Sequence, residues 1–311
     1  MRRGWIWISA GLLGAGCASP PKPARPSDPD LERYAGSALV SFQHGAYGQA
    51  EKLYRRALDR ARAADDAREI GNNAYNLAAC LVALGRNAEA RPLLRESRVA
   101  LEELRKNTAE VILLDAAAAR NLGILDAAST LVAEARAQMN RDKDRALWIQ
   151  AALIEAQVAC DRTNAPLALR ILDSVSKDLK ELNDTLLNGR AAGLYARITW
   201  MTGQPATASA WFDKETECYR KAGRPPQEIS PVLLRAAEAW GQAGQARESA
   251  DRYYRAARSL TGQGRTTEAL RCIEPALAAA EKAGASDLMA RITALFDEIR
   301  RQLAGAGGGG K

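Results

Sequence analysis

The chain is poor in the residues that carry chemistry. It has one histidine, His44, among 311 residues. A single histidine excludes a two-histidine zinc motif, and neither G-x-S-x-G nor C-x-x-C occurs. His44 precedes Gly45, where a helix C-terminus would take its ring as a donor to the last carbonyls. Aromatic residues make up only 5%, three of them phenylalanine, so small side chains must fill the interfaces. No strand-like alternation is evident. Beyond the N-terminus no apolar run is long enough to span a bilayer as a helix. The Gly-rich end, Gly305 to Gly310 with Lys311, matches most of a phosphate-binding loop by letter. It lacks the Ser/Thr, the strand before and the helix after, so the match excludes itself. No residue set points to a catalytic centre, a metal site or a cofactor. The sequence predicts a binding module rather than an enzyme.

What the chain has is periodicity. From Glu69 to Leu104 two apolar-periodic segments meet at Gly85. Ala74, Leu77, Ala78 and Leu81 fall at i, i+3, i+4, i+7, and Ala90, Leu93, Leu94, Ser97 and Leu101 repeat the pattern. Gly85 can take positive φ and stop the first helix. Ala78 and Ala90, one methyl each, let the two helices approach closely across the turn. The unit is an αα-hairpin, and it needs copies of itself to bury its outer face.

The copies are present. The alanine of the first helix recurs at Ala38, Ala78, Ala116, Ala156, Ala196 and Ala237, spaced 40, 38, 40, 40 and 41. The turn follows at Gly45, Gly85, Gly123, Thr163, Gly203 and Gly244. A small residue comes next at Ala50, Ala90, Ala128, Ala168, Ala208 and Ser249, then a bulky one at Tyr54, Leu94, Val132, Leu172, Phe212 and Tyr253. A seventh, degenerate copy turns at Gly284, with Leu277 and Met289 at the small positions.

This pattern resembles the tetratricopeptide repeat family over about residues 30 to 304. Ala57, Ser97, Ala135, Val175, Glu215 and Ala256 occupy the last small site, with Val175 and Glu215 as departures. The period near 40, against 34 for the family, implies longer helices. A HEAT-type array of period ~40–47 is the competing architecture, and the small pair flanking the turn favours the tetratricopeptide-like one. The resemblance implies an all-α fold: a right-handed α-solenoid of about seven helix-turn-helix hairpins, binding protein partners.

The N-terminus carries an address. Met1 to Gly16 has two arginines, a short apolar run and then small residues, as a secretory signal does. Cys17 follows Ala15-Gly16 directly, which resembles the bacterial lipoprotein signal, although Gly14 stands where that signal prefers leucine. The resemblance implies removal of residues 1–16, acylation of Cys17 and an anchor in the cell envelope. Lacking an aspartate at Ala18, it points to the outer membrane facing the periplasm. An ordinary signal cleaved near Ala18 or Ser19 is the alternative. Residues 17–29 are proline-rich and are read as an extended tether or a disordered leader. Residues 305–311 are read as a loose tail.

Charge and cysteines fit an exported scaffold. The net charge of +7 falls by two when Arg2 and Arg3 leave with the signal. The remaining basic residues interleave with acids, as in Arg55 to Glu69, the look of a solvated helix face. Nucleic acid is therefore not an expected partner, and no small-molecule substrate is implied. Cys80, Cys160, Cys218 and Cys272 sit at different heights in different repeats, so they are read as packing residues rather than bridges.

In this repeat class the first helix of each hairpin lines a concave groove. With the turn as reference, the resemblance places Asn72, Tyr75, Ala79 and Val82 there in repeat two, and Leu113, Arg120 and Asn121 in repeat three. Gln150, Leu153 and Gln157 follow in repeat four, and Arg190, Arg197, Trp200 and Met201 in repeat five. Asn76 lies i+4 from Asn72, so two amides project side by side. Arg190 and Arg197 suit a carboxylate, and Trp200 adds an amphipathic contact. The expected ligand is an extended or helical segment of a partner protein, its acidic side towards repeat five. The alternative is that these are ordinary exposed polar residues. The functional reading is a scaffold in assembly of an envelope complex. The alternative is a non-catalytic regulator docking a cell-wall hydrolase or protease.

Overall fold

The structure, a computed structural model, describes residues 28–307. The signal segment, Cys17, the tether up to residue 27 and the tail from residue 308 lie outside the described residues. Fifteen helices and no strand occur among those described. Seven hairpins account for them. The first three are α1 (Pro29–Gln43) with α2 (Tyr47–Ala63), α3 (Ala67–Ala83) with α4 (Asn87–Glu103), and α5 (Ala109–Asn121) with α6 (Leu125–Ala137). In the fourth, α7 (Arg145–Asp161) pairs with α8 (Ala165–Ser174), and a short α9 (Ser176–Leu182) follows. The last three are α10 (Thr185–Met201) with α11 (Pro205–Lys221), α12 (Pro226–Gln242) with α13 (Ala246–Gly262), and α14 (Thr266–Lys282) with α15 (Ser286–Gly307). The described helices divide into two compact units, α1–α4 within Met1–Lys106 and α5–α15 within Asn107–Lys311. Each unit is a stack of antiparallel hairpins.

The period near 40 has a local cause. Most helices have 17 residues, about 25 Å of rise, and three residues separate most neighbours. Nearly every turn is the same Schellman cap. At the α3–α4 turn, Gly85 N–H donates to the Val82 carbonyl at 3.0 Å and Arg86 N–H to the Leu81 carbonyl at 2.8 Å. Gly45, Gly123, Gly203, Gly244 and Gly284 hold the same place with positive φ. The turns between hairpins use it too, with Asp65, Arg105, Gly223 and Gly264 as the left-handed residue. The array is therefore a run of near-equal 20-residue steps; Asp65 and Arg105 disguise the steps after the first two hairpins, whereas Gly223 and Gly264 mark two of the later ones.

Thr163 is the one β-branched residue in this position, at φ 57°. Its hydroxyl donates to the Arg162 carbonyl at 2.7 Å, but the branched carbon is strained in the left-handed region. Thr163→Gly is expected to raise stability by about 1 kcal/mol, read as a shifted denaturation midpoint. A lower midpoint would show that the cap tolerates threonine without cost.

The small residues sit where the helices cross. All six first-helix alanines, Ala38, Ala78, Ala116, Ala156, Ala196 and Ala237, have no exposed surface, and neither do Ala50, Ala90, Ala128, Ala168 and Ala208. Ser249 takes the last of these places by donating its hydroxyl to the Ala237 carbonyl, its partner in the pair, at 2.8 Å. Ser97 likewise donates to the Gly71 carbonyl at 2.7 Å. Among the bulky residues Tyr54, Leu94, Val132, Leu172 and Phe212 are buried, whereas Tyr253 is half-buried and its neighbour Tyr254 is the one inside.

The two departures at the last small site have different outcomes. Val175 is buried but interrupts the second helix, dividing α8 from α9. The flanking hydroxyls of Ser174 and Ser176 donate to the Ile171 and Asp173 carbonyls, offering those backbone groups an alternative to the helix ladder. Glu215 stays in its helix and is 4% exposed. It fits because Gly193 on α10 has no Cβ; one built there would lie 2.6 Å from Glu215 Cδ. Burial pushes the Glu215 carboxyl above its ordinary value, against the pull of Arg235, whose Nη2 stands 3.5 Å from Oε2.

The folded protein thus holds the Glu215 proton to higher pH than the unfolded chain does. Its contribution to stability is fully present below the unfolded carboxylate value and is lost as pH rises from there through the raised folded value. Glu215→Gln is expected to flatten that part of the stability–pH curve, measured by urea unfolding from about pH 4 to pH 8. A variant with the wild-type slope would remove Glu215 as its cause.

Several boundaries differ from the sequence reading. Proline-rich residues up to Pro29 are read as non-helical, yet Pro29 opens α1. Proline is suited to the first helical position, and the Asp28 carboxylate accepts from the N–H groups of Asp30 (3.0 Å) and Leu31 (3.2 Å). At the other end α15 continues to Gly307, three residues past Ala304. The single array expected over 30–304 is two compact units dividing after Lys106. That is where Arg105 takes φ 53° and where the shortened helices α5 and α6, of 13 residues each, begin. His44 is at the end of α1 as expected, its Nδ1 2.8 Å from the Val40 carbonyl oxygen. The four body cysteines are free thiols, three of them buried; burial raises Cys80 to about 12 and Cys272 to about 11, which makes them inert.

Candidate functional site

In the second unit α7 packs beside α5 on one side and α10 on the other. All three are first helices of their hairpins, so one residue of α7 can meet both neighbours. Asp161 does. It is the last residue of α7, and its carboxylate accepts from Arg120 of α5, Nε to Oδ2 at 2.5 Å and Nη2 to Oδ1 at 3.2 Å. From the other side Arg197 of α10 places Nη2 2.7 Å from Oδ1. Arg120 Nη1 also reaches Asn121 Oδ1 at 3.3 Å and Gln157 Oε1 at 3.5 Å. Two guanidiniums thus share one carboxylate across three repeats.

The site is half-buried, with side-chain exposures of 21% for Arg120 and Asp161 and 35% for Arg197. Burial alone would raise the Asp161 carboxyl; hydrogen bonds from Arg120 and Arg197 outweigh it and hold it below the ordinary value. Asp161 is therefore ionised at neutral pH, and the cluster keeps one excess positive charge. Chemically it can accept a further carboxylate on the outer edges of the two guanidiniums, with the Gln157 and Asn121 amides beside them.

Four of the expected groove residues, Arg120, Asn121, Gln157 and Arg197, therefore converge. Asp161, which joins them, is absent from the sequence reading. Its signal was its place four residues after Gln157, on the same helical stripe. The other candidates are elsewhere. Arg190 lies nearly two turns before Arg197 on α10, half-buried, and burial pushes its guanidinium below the ordinary value. Trp200 is half-buried and packs against the buried cluster of Ala196, Ala208, Phe212 and Val232. Leu113 and Leu153 are likewise core residues, 2% and 3% exposed. Asn72 is exposed and Tyr75 and Asn76 are half-buried on α3, in the first unit. Between them Asn73 is buried, donating to the Glu69 carbonyl at 2.8 Å.

Among the described residues no group of three or more His, Cys, Asp or Glu stands where it could hold a metal ion. No helix among them is long and apolar enough to cross a membrane.

No protein-family model and no curated protein matches the sequence. Solved structures do. One is a signal transduction ATPase with numerous domains from Pyrococcus horikoshii, which carries a tetratricopeptide repeat sensor. It is 16% identical, with 90% of this chain and 43% of that chain covered and a TM-score of 0.55. The fold is tetratricopeptide-like. The Rap conjugation gene regulator of the plasmid pLS20, solved in complex with the Phr* peptide, is similar with 13% identity, 88% and 75% coverage and a TM-score of 0.62. PilW, a widely conserved type IV pilus biogenesis factor, is 16% identical, with 79% and 99% coverage and a TM-score of 0.50. At these identities the likeness is one of fold.

Proposed function

We propose that the chain is a lipid-anchored cell-envelope scaffold whose first-helix face binds an acidic, extended or helical segment of a partner protein. The observation that carries this reading is the Arg120–Asp161–Arg197 bridge. It spans three repeats, is only half-buried and leaves two guanidiniums with a single counter-charge. A half-buried guanidinium strengthens any further carboxylate contact over one in open water, because the local dielectric is lower. Its two amide neighbours suit an extended backbone. A structural neighbour solved with a peptide, and another that is a type IV pilus biogenesis factor, support a peptide-binding role in assembly of an envelope complex.

The test is an array of peptides graded from acidic to basic, probed with the full chain. Acidic peptides should be retained, should weaken with added salt, and should be lost with Arg120→Ala/Arg197→Ala. Retention without regard to peptide charge overturns the reading. The anchor is tested separately: Cys17→Ser should abolish palmitate labelling and move the protein from the membrane to the soluble fraction. Labelling that persists would place the acylated residue elsewhere.

A further inference from the structure

Away from the first-helix bridge, a cleft of about 260 Å³ opens between α11, α12 and α13. It is lined by three arginines, Arg220 at the end of α11 and Arg255 and Arg258 on α13, by Pro226, Ile229 and Leu233 of α12, and by Ser259; of the apolar three, Leu233 is buried, Ile229 half-buried and Pro226 exposed. The local charge is unbalanced. Asp251 stands 3.4 Å from Arg255 Nη1 but is shared with Arg252 at 2.8 Å. Arg252 in turn is held by Asp213, Nε to Oδ1 at 2.9 Å and Nη2 to Oδ2 at 2.7 Å. Among the described residues no carboxylate lies within ion-pair distance of Arg220 or Arg258. Four guanidiniums therefore share two carboxylates. Arg220 and Arg258, the two without one, line the cleft, and the Arg258 guanidinium also lies 5.7 Å from the centre of the Tyr254 ring.

Such a cluster repels itself. Partial desolvation of the guanidinium, on a residue that is exposed as a whole, and then the charges of Arg255, Arg258 and Arg252 push Arg220 below its ordinary value. An oxyanion placed among the three would relieve that repulsion and accept several charge-assisted hydrogen bonds at once. The volume is just under the ~300 Å³ at which pockets for whole small molecules begin, so it suits a head group. The apolar side chains of Ile229 and Leu233 suit a carbon body attached to it. The Ser259 Oγ accepts from Gln263 Nε2 at 3.2 Å, leaving its own proton to donate.

We propose that this cleft binds the phosphate group of a small ligand, gripped by Arg220, Arg255 and Arg258 with Ser259 as a further donor. The phosphate can belong to a soluble compound or to a lipid head group. It is a separate site from the peptide-binding face and does not rest on it.

Titration calorimetry on the full chain with pyrophosphate tests the proposal. Expected is saturable binding of one pyrophosphate per chain, weakened about tenfold or more in Arg220→Gln/Arg258→Gln. Both side chains are exposed, so the melting temperature without ligand should stay or rise. Should the glutamine variant fail to fold, Arg220→Lys/Arg258→Lys, which keeps charge but not the planar fork, should still bind measurably more weakly than wild type. A second arm compares vesicles of phosphatidylglycerol with vesicles of phosphatidylcholine. A preference for the anionic vesicle that the glutamine variant loses, and that pyrophosphate competes away, identifies a lipid head group. Pyrophosphate binding without that preference identifies a soluble phosphate compound. No saturable binding in either arm, or variants that bind as wild type does, overturns the proposal.

Discussion

Ala78→Leu is expected to lower stability by about 3 kcal/mol, the upper end of the usual cost of overpacking. Ala78 has no exposed surface, and neither has Ala90, its counterpart across the Gly85 turn. A leucine adds three carbons where α3 and α4 cross, and protein interiors at crystal-like density have no void to receive them. The two helices must separate, and the buried Leu77, Leu81 and Leu94 alongside lose contacts as they do. For a unit of this size the change corresponds to a fall of about 10–20 °C in the transition that melts it. Ala79→Leu is the control. That residue is next in sequence but half-buried, and the same three carbons there should change the melting temperature by only a few degrees. If both variants melt alike, close helix approach is not what the small residue provides.

For the proposed peptide face, Arg120→Ala/Arg197→Ala should weaken an acidic peptide by about thirtyfold, on the order of 2 kcal/mol, measured by fluorescence anisotropy of the labelled peptide. The cost in stability should stay under about 1 kcal/mol, because all three groups retain contact with water. Asp161→Asn should act in the opposite direction. The carboxylate occupies the inner edges of both guanidiniums (2.5 Å to Arg120 Nε, 2.7 Å to Arg197 Nη2), so it competes with the peptide for them. Its neutralisation should strengthen binding of the acidic peptide several-fold while stability falls slightly. A purely structural bridge would show no such opposition; both variants would then leave affinity untouched. Trp200→Ala is a poor probe of this face, since removing a ring packed on Phe212 and Val232 would cost stability first.

Local rules explain why the hairpins were legible. Gly85 and its equivalents take positive φ, which few other residues do freely, and small residues either side of the first six hairpin turns, alanine except at Ser249, allow the close crossing. Both demands fall on residue type at fixed spacing, so they are visible in one dimension. Two of the intermediate turns were hidden because Asp65 and Arg105 meet the same backbone demand with side chains that carry no such signature, whereas Gly223 and Gly264 do carry it. The caps Asp66 and Asp184, which accept from two backbone N–H groups each, mark helix starts that a reading focused on the glycines passes over.

The candidate site was legible only in part. The repeat register taken from the family resemblance listed Arg120, Gln157 and Arg197, which lie on α5, α7 and α10; only the Gln157–Asp161 spacing on α7 is a same-helix stripe. It could not tell which of them would be neutralised, which is set by what faces them from the next helix. Leu113 and Leu153 share the register of groove residues yet are buried, and Trp200 is half-buried against the cluster around Phe212.

By itself, then, the sequence determined helix class, hairpin number and the places of closest approach, since each depends on one residue's backbone freedom or bulk. Only the tertiary structure decided that Asp161 bridges Arg120 and Arg197, that Gly193 makes room for Glu215, and that Arg220 and Arg258 share a cleft without a carboxylate. Those are pairings between residues 22 to 41 positions apart, and charge and volume at such distances in sequence meet only once the helices have stacked.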